Sequence, residues 1–401
     1  MAKRKIQKPT RFERMYKVWD YLRKNTDRRH PTSIAKMRKD ENINAYIGDK
    51  ETINRLLKDM ANIMNLKDGG SDYKPEAEWR LYFDDFKKFY GDKERYERDD
   101  SDEDDSYIAN VMRIKNLYYN RTFSEKEVDS IIEGIMATRT LDSKSAQELV
   151  RKVEDNMTTA FYKRTPRHIC KVQEPELADR ELLKDNLAII QKAIDDNVRI
   201  QFRFNGYSYE KKLEPVRAEM DELSPYYIVA SGGKYYLLAA KEYEGYKPNM
   251  SIWRIDLMTD IEIPGRNDRL HIKGIPRIPK KNVSNLPEKW SEDFQLKHLN
   301  MSFDKPVPVT LRIKSEKCED NPKKRVRPGY TFLHDWFGDS FTYIRTETKP
   351  PYDDIVRVEC SPYGMAHWAL QYSELVEVLE PESLREDIKN KIKALNEKYS
   401  L

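Results

Sequence analysis

The stretch from Ser224 to Ile261, SPYYIVASGGKYYLLAAKEYEGYKPNMSIWRIDLMTDI, constrains the fold more than any other part of the chain. Two short runs rich in aromatic and branched residues flank Gly232-Gly233, and paired glycines suit the positive φ angles of a tight hairpin. Tyr235-Tyr236-Leu237 follows, and then Trp253-Arg254-Ile255-Asp256. Upstream, Ile200, Phe202 and Phe204 alternate with polar neighbours, which is the period of a half-buried strand. The pattern fits a small β-barrel with a basic, aromatic-lined face. No catalytic chemistry needs that order of residues.

The other segments divide by period. Within residues 10–83, Phe12, Met15, Tyr16, Trp19 and Leu22 recur at helical spacing, and a second short helix follows Pro31-Thr32-Ser33. Asp49 is a natural N-cap for a third helix. Its apolar stripe is expected to be Ile53, Leu56, Leu57, Met60, Ile63 and Met64. A Gly-rich turn at Asp68-Gly69-Gly70 and a strand near Trp79–Phe83 complete the pattern of a winged helix-turn-helix. Residues 107–165 read as a helical connector, with Ser124 and Glu127 as a capping box. Residues 182–263 open with a helix and continue as the barrel. Residues 264–299, rich in Pro and Lys, read as a linker. Residues 300–401 read β-α-β-β-α-β with a final helix after Pro381, a ferredoxin-like α/β order. The fold class expected is therefore multidomain α+β.

Charge locates a partner. Residues 1–70 hold 18 Lys and Arg against 9 Asp and Glu, whereas residues 71–110 hold 7 against 14. A basic N-terminal unit beside an acidic stretch points to a polyanion at the N-terminal unit. The three cysteines, Cys170, Cys318 and Cys360, lie far apart with no CxxC spacing, so neither a disulfide framework nor a zinc site is indicated. That usage suits a cytoplasmic protein. No stretch has the ~20 apolar residues of a membrane span. The acidic run Asp99–Asp105 lacks metal-ligand spacing, and there is no P-loop, nucleophile elbow or HExxH, so no enzyme, no metal and no cofactor are expected. Lys323-Lys324-Arg325-Val326-Arg327 reads as an exposed basic loop.

These units, in this order, resemble the bacterial WYL-domain transcriptional regulators. The resemblance rests on FSEKEVDSIIEGI and SAQELVRKVEDNM in the connector, and on Ser224-Pro225-Tyr226, Tyr235-Tyr236-Leu237 and Arg254-Ile255-Asp256 in the barrel. It is most specific in the closing segment MAHWALQYSELVEVLEPESLREDI. Tyr235 stands where the family name puts Trp, and Leu257 where many members carry a second Arg. The resemblance implies a winged helix, a connector, a small Sm-like WYL barrel and a C-terminal extension. It also implies an anionic effector, nucleotide or oligonucleotide, and a homodimer acting in ligand-controlled transcription.

Candidate contacts follow. On the third helix Lys50, Thr52, Asn54, Arg55 and Lys58 are expected to face duplex DNA, because Arg, Asn and Lys reach base edges and phosphates. An ordinary solvated helix face would carry the same residue types. In the barrel, Ser224, Tyr226, Tyr236, Lys241 and Arg254 are the expected effector contacts, since cations among aromatic rings suit a nucleotide or single strand. Arg254 has a second reading as the partner of Asp256 on its own strand. The expectation is a DNA-binding transcriptional regulator. The alternative is an accessory protein of a CRISPR or phage-defence system that binds RNA or single-stranded nucleic acid.

Overall fold

Thr10 begins the first helix, α1 (Arg11–Asn25), with a reciprocal box. Its hydroxyl accepts from the Glu13 amide, and the Glu13 carboxylate accepts from the Thr10 amide. Ser33 caps α2 (Ile34–Lys39), and α3 (Asn44–Ile47) ends at Gly48. Gly48 holds φ +68° with ψ −159°, a conformation that residues with a side chain rarely adopt, so glycine suits this corner. Asp49 then caps α4 (Lys50–Asn65), accepting from the Thr52 amide at 2.7 Å. The computed structural model describes residues 9–67, 74–84, 114–138, 141–164, 180–267, 269–315, 317–318, 321–325 and 329–399. The Asp68–Gly70 turn, the acidic run Asp99–Asp105, Cys170 and Val326-Arg327 lie outside the described residues.

The chain divides into two compact units, residues 1–176 and 177–401. In the first, Val18, Leu22, Met37, Ile47, Ile53 and Leu57 form a core with Leu81, Phe83 and Leu117. Strand β1 (Leu81–Tyr82) pairs antiparallel with β2 (Tyr118–Tyr119), and Leu117 bridges to Thr32. The four helices therefore sit against a small sheet of order 32, 117–119, 81–82. This corrects the boundary at residue 83, because Leu117–Tyr119 belong to this sheet and not to the connector. Asn65 fixes the end of α4 to β1: its Nδ2 donates to Leu81 O and its Oδ1 accepts from the Arg80 amide, both at 2.8 Å. Helix α5 (Glu125–Ala137) carries the expected Ser124–Glu127 box, and α6 (Ser143–Met157) packs on it through Val128, Ile132, Val150 and Val153.

In the second unit, α7 (Arg180–Asp196) leads into β3 (Ile200–Tyr207), β4 (Leu213–Pro215), β5 (Asp221–Ser231), β6 (Lys234–Ala240), β7 (Met250–Arg254) and β8 (Met258–Glu262). The sheet runs β4-β3-β5-β6-β7, and β8 pairs back on β3, so the sheet curls on itself. Gly232 and Gly233 make the β5–β6 turn with φ +54° and +73°. Buried Asn186 donates to Met258 O at 2.8 Å and clamps α7 to the closure.

Residues 264–299 are not a linker. Strands β9 (Arg266–Asn267) and β10 (Ile272–Lys273) form a hairpin, and the chain then crosses the barrel as a strap. The Arg199 amide donates to Ile275 O at 2.8 Å, and the Arg277 amide to Asn197 O at 3.0 Å. Ile278 and Val283 bury against Tyr226 and Ala240, and Phe294 of α8 (Phe294–Lys297) against Leu238 and Met250. Prolines and lysines dilute the apolar content, but a few well-spaced apolar side chains suffice to seat an extended segment.

The C-terminal part is β11 (Val307–Ile313), a small hairpin of β12 (Lys317–Cys318) and β13 (Asn321–Arg325), then α9 (Thr331–Phe337), β14 (Thr342–Thr346), β15 (Asp354–Cys360), α10 (Pro362–Gln371), β16 (Val376–Glu380) and α11 (Glu382–Tyr399). Without the small hairpin the order is β-α-β-β-α-β. The antiparallel sheet runs β14-β15-β11-β16 over a core centred on Trp368, Phe337 and Leu311. Lys323-Lys324-Arg325 lie in β13, not in a loop.

Candidate nucleic-acid and effector surfaces

Two turns of α4 decide what the first unit can touch. Ile53, Asn54, Leu56, Leu57, Met60, Ala61 and Asn65 face inward. Asn54 is only 1 % exposed, so it is not a surface reader, and Ile63, expected in the apolar stripe, is 70 % exposed. The helix is turned about its axis relative to the sequence pattern, because Asn65 reaches back to β1 and small Ala61 lets that side approach the core. The outward face carries Glu51, Arg55, Lys58 and Asp59, with Lys50 at its start and Thr52 half-buried beside its cap. Both acids on this face are paired. Glu51 accepts from Arg55 at 2.6 Å, and Asp59 is held by Arg11 of α1. Arg11 thereby joins the face, a contribution that helical spacing within α4 could not reveal.

The five barrel residues fall into three places. Arg254 and Tyr236 stand opposite each other across β6 and β7. Arg254 Nε donates to Asp256 Oδ1 at 3.1 Å, and Asp256 is 4 % exposed. Burial opposes the Arg254 charge, but the Asp256 carboxylate outweighs it, with smaller help from Tyr236 and Tyr207, and lifts its pKa above the usual arginine value. Lys241 lies elsewhere. It donates to fully buried Asp221 at 2.7 Å, and Arg217 pairs with the same carboxylate while lying over the Trp253 ring. Ser224 and Tyr226 lie under the strap. The Ser224 hydroxyl accepts from the Ile278 amide at 3.0 Å, and the Tyr226 hydroxyl donates to Ile278 O at 2.7 Å. Both are buried and used for architecture, which corrects their placement at an effector surface.

The strap itself brings side chains that the linker reading passed over. Arg277 lies over the Tyr226 ring at 5.1 Å and donates to Pro225 O and Asn197 Oδ1. Lys280 lies over the Tyr227 ring at 4.1 Å and donates to its hydroxyl at 2.8 Å. The signal was present as a stretch from Arg269 to Pro287 with five Lys and Arg and no Asp or Glu.

The sheet order of the C-terminal part and its closing segment set the comparison with known families. A family model described as the WCX domain matches residues 305–395. The C-terminal part of this chain is therefore similar to the WCX domain. The matched residues run from just before β11 to the last turns of α11, and WCX is a WYL-related domain. No curated protein matches the chain. Among solved structures, proteasome accessory factor B/C (PafBC) of Arthrobacter aurescens is 16 % identical, covering 74 % of this chain and 43 % of its own, with a TM-score of 0.23. The chain thus spans less than half the length of that protein. A structure described as a CRISPR Cas-related protein is 14 % identical, covering 87 % of this chain and 86 % of its own, with a TM-score of 0.29. No helix among the described residues is long and apolar enough to cross a membrane.

Proposed function

We propose that the chain is a DNA-binding transcriptional regulator of the WYL kind. The first unit acts as a winged helix that lays α4 into the major groove, and the curled sheet is an Sm-like WYL barrel that senses an anionic effector. The WCX domain, with its ferredoxin-like strand order, is the C-terminal extension of that sensor. Two copies form a homodimer on a two-fold site, as helix-turn-helix proteins commonly do. The protein performs no catalysis and works in the bacterial cytoplasm.

The observation that carries this reading is the α4 face. A capped helix presents Lys50, Arg55 and Lys58, joined by Arg11, beside a small sheet that completes the helical core. The test is selection of bound duplexes from a genomic pool, followed by titration at fixed salt. Arg55→Ala with Lys58→Ala is expected to weaken duplex binding at least tenfold, since one base contact is worth roughly 1–3 kcal/mol. Equal affinities for the folded double variant and the wild type would sink the placement of α4.

A further inference from the structure

The cations of the barrel are nearly all neutralised within the fold. Arg199, Arg203, Arg217, Lys241, Arg254 and Arg266 each hold a carboxylate. The strap differs. Among the described residues, no carboxylate pairs with Arg269, Lys273, Arg277, Lys280 or Lys281. Solvated lysines on a surface would be mobile and unremarked, but two of these cations are fixed. Arg277 is pinned by a ring and two carbonyl oxygens, and Lys280 by a ring and a hydroxyl. Burial lowers the Arg277 pKa from its usual value, offset only in part by Tyr226 and Tyr227. An external anion would supply the missing counter-charge.

The neighbourhood selects the kind of anion. The charges are spread along the segment rather than gathered at one point, from Lys273 in β10 through Arg277 on extended backbone to the short 3-10 turn Lys280–Asn282, so they suit successive phosphates of a strand better than one nucleotide. Trp290 packs on the same Tyr227 ring that Lys280 covers, at 5.8 Å between centroids, yet remains 44 % exposed. A fixed cation beside an exposed indole is the pairing that holds a phosphate and stacks an unpaired base. The nearby acids Glu222 and Glu242 are both occupied by Arg199.

We infer that the strap is a binding site for single-stranded nucleic acid, in which Lys273, Arg277, Lys280 and Lys281 track the phosphates and Trp290 stacks a base. This deepens the sensor reading by naming the class of effector and its location. It does not depend on whether α4 binds duplex DNA.

The test uses the full chain and a labelled oligothymidylate of about twelve nucleotides, titrated at several salt concentrations. Wild type is expected to bind, with affinity falling as salt rises. Lys273→Gln with Lys281→Gln alters two exposed side chains. It is expected to weaken binding at least fivefold and to reduce the log–log salt slope by about 1.4, at roughly 0.7 per phosphate contact on a single strand. Trp290→Leu is expected to weaken it at least fivefold with the salt slope unchanged. Lys184→Gln, which alters an exposed cation on α7, is expected to bind as wild type does. The inference is overturned if wild type does not bind, if the strap variants bind like wild type, or if Lys184→Gln weakens binding as much as they do. A duplex of equal length, or thymidine monophosphate, competing as well as the oligonucleotide also overturns it. Loss of duplex binding in the α4 variant with oligonucleotide binding retained would leave the strap site standing.

Discussion

His298 is 5 % exposed, stacked on Phe294, with its Nδ1 2.7 Å from Ser302 O. Burial, its largest influence, lowers its pKa from the ordinary 6.5, and the Ser302 carbonyl offsets this only partly. The fold therefore favours the neutral ring. Its contribution is complete above the unfolded value and is lost as pH falls through 6.5 towards the lower folded value. Urea midpoints are expected to fall between about pH 7 and pH 5, and His298→Gln to flatten that part of the profile; an unchanged slope would mean His298 does not titrate there. Cys360, fully buried, has its thiol pushed up to about 12, chiefly by burial. It is expected to resist a thiol reagent in the folded protein near pH 8 and to react once unfolded; reaction at the unfolded rate in native buffer would contradict its burial. Arg254 carries the third residue-scale prediction. Removing it strands the buried Asp256 carboxylate, so Arg254→Ala is expected to cost about 1–3 kcal/mol, reduced because Arg254 itself is partly solvated. Adding Asp256→Ala should recover part of that loss in thermal melts.

The strap is the element whose seating is most open to test. Tyr226→Phe with Ser224→Ala removes the bonds at both polar groups of Ile278, leaving a buried amide and carbonyl unpaired, at about 1–3 kcal/mol for each. Limited proteolysis is expected to cut between Lys273 and Lys281 faster in this variant than in wild type. Equal cutting would show that the strap is held by other contacts. The contrast with the Gly232-Gly233 hairpin explains what the chain disclosed in advance. That turn, the Asp49 cap, the Ser124–Glu127 box and the β-α-β-β-α-β order are local, each written in a few consecutive residues. The strap and the Thr32–Leu117 bridge pair segments distant in sequence, and short stretches of extended chain leave no period to read. The rotation of α4 is tertiary too. Asn54 looked like a reader by its residue type, but it lies on the inward stripe with Leu57, Ala61 and Asn65, the last of which bonds to β1. At the barrel, the pairing of Arg254 with Asp256 was legible from their closeness in sequence, although β7 ends at Arg254 and Asp256 lies in the short 3-10 turn Ile255–Leu257 rather than on the same strand. The burial of Ser224 and Tyr226 was not, since the segment that covers them looked like a linker.

At the scale of the whole molecule, a regulator differs from a two-site nucleic-acid binder in having its sites coupled. If the α4 face holds duplex DNA and the strap holds a single strand, each ligand must change the affinity of the other by the same factor. A factor of roughly 5–150, equal to about 1–3 kcal/mol, would be ordinary for such a switch. The measurement is duplex affinity with and without saturating oligothymidylate, and oligothymidylate affinity with and without saturating duplex. The two ratios are expected to agree. Arg55→Ala with Lys58→Ala should weaken duplex binding while leaving oligothymidylate binding unchanged, and Lys273→Gln with Lys281→Gln the reverse. Salt must be fixed throughout, because both ligands displace counterions and a change in ionic strength would mimic coupling. Both ligands binding tightly with a ratio of one in each direction would remove the sensing role. Such an uncoupled pair of sites would favour the accessory-protein alternative, in which the strap serves an RNA or single strand and promoter occupancy does not respond to it.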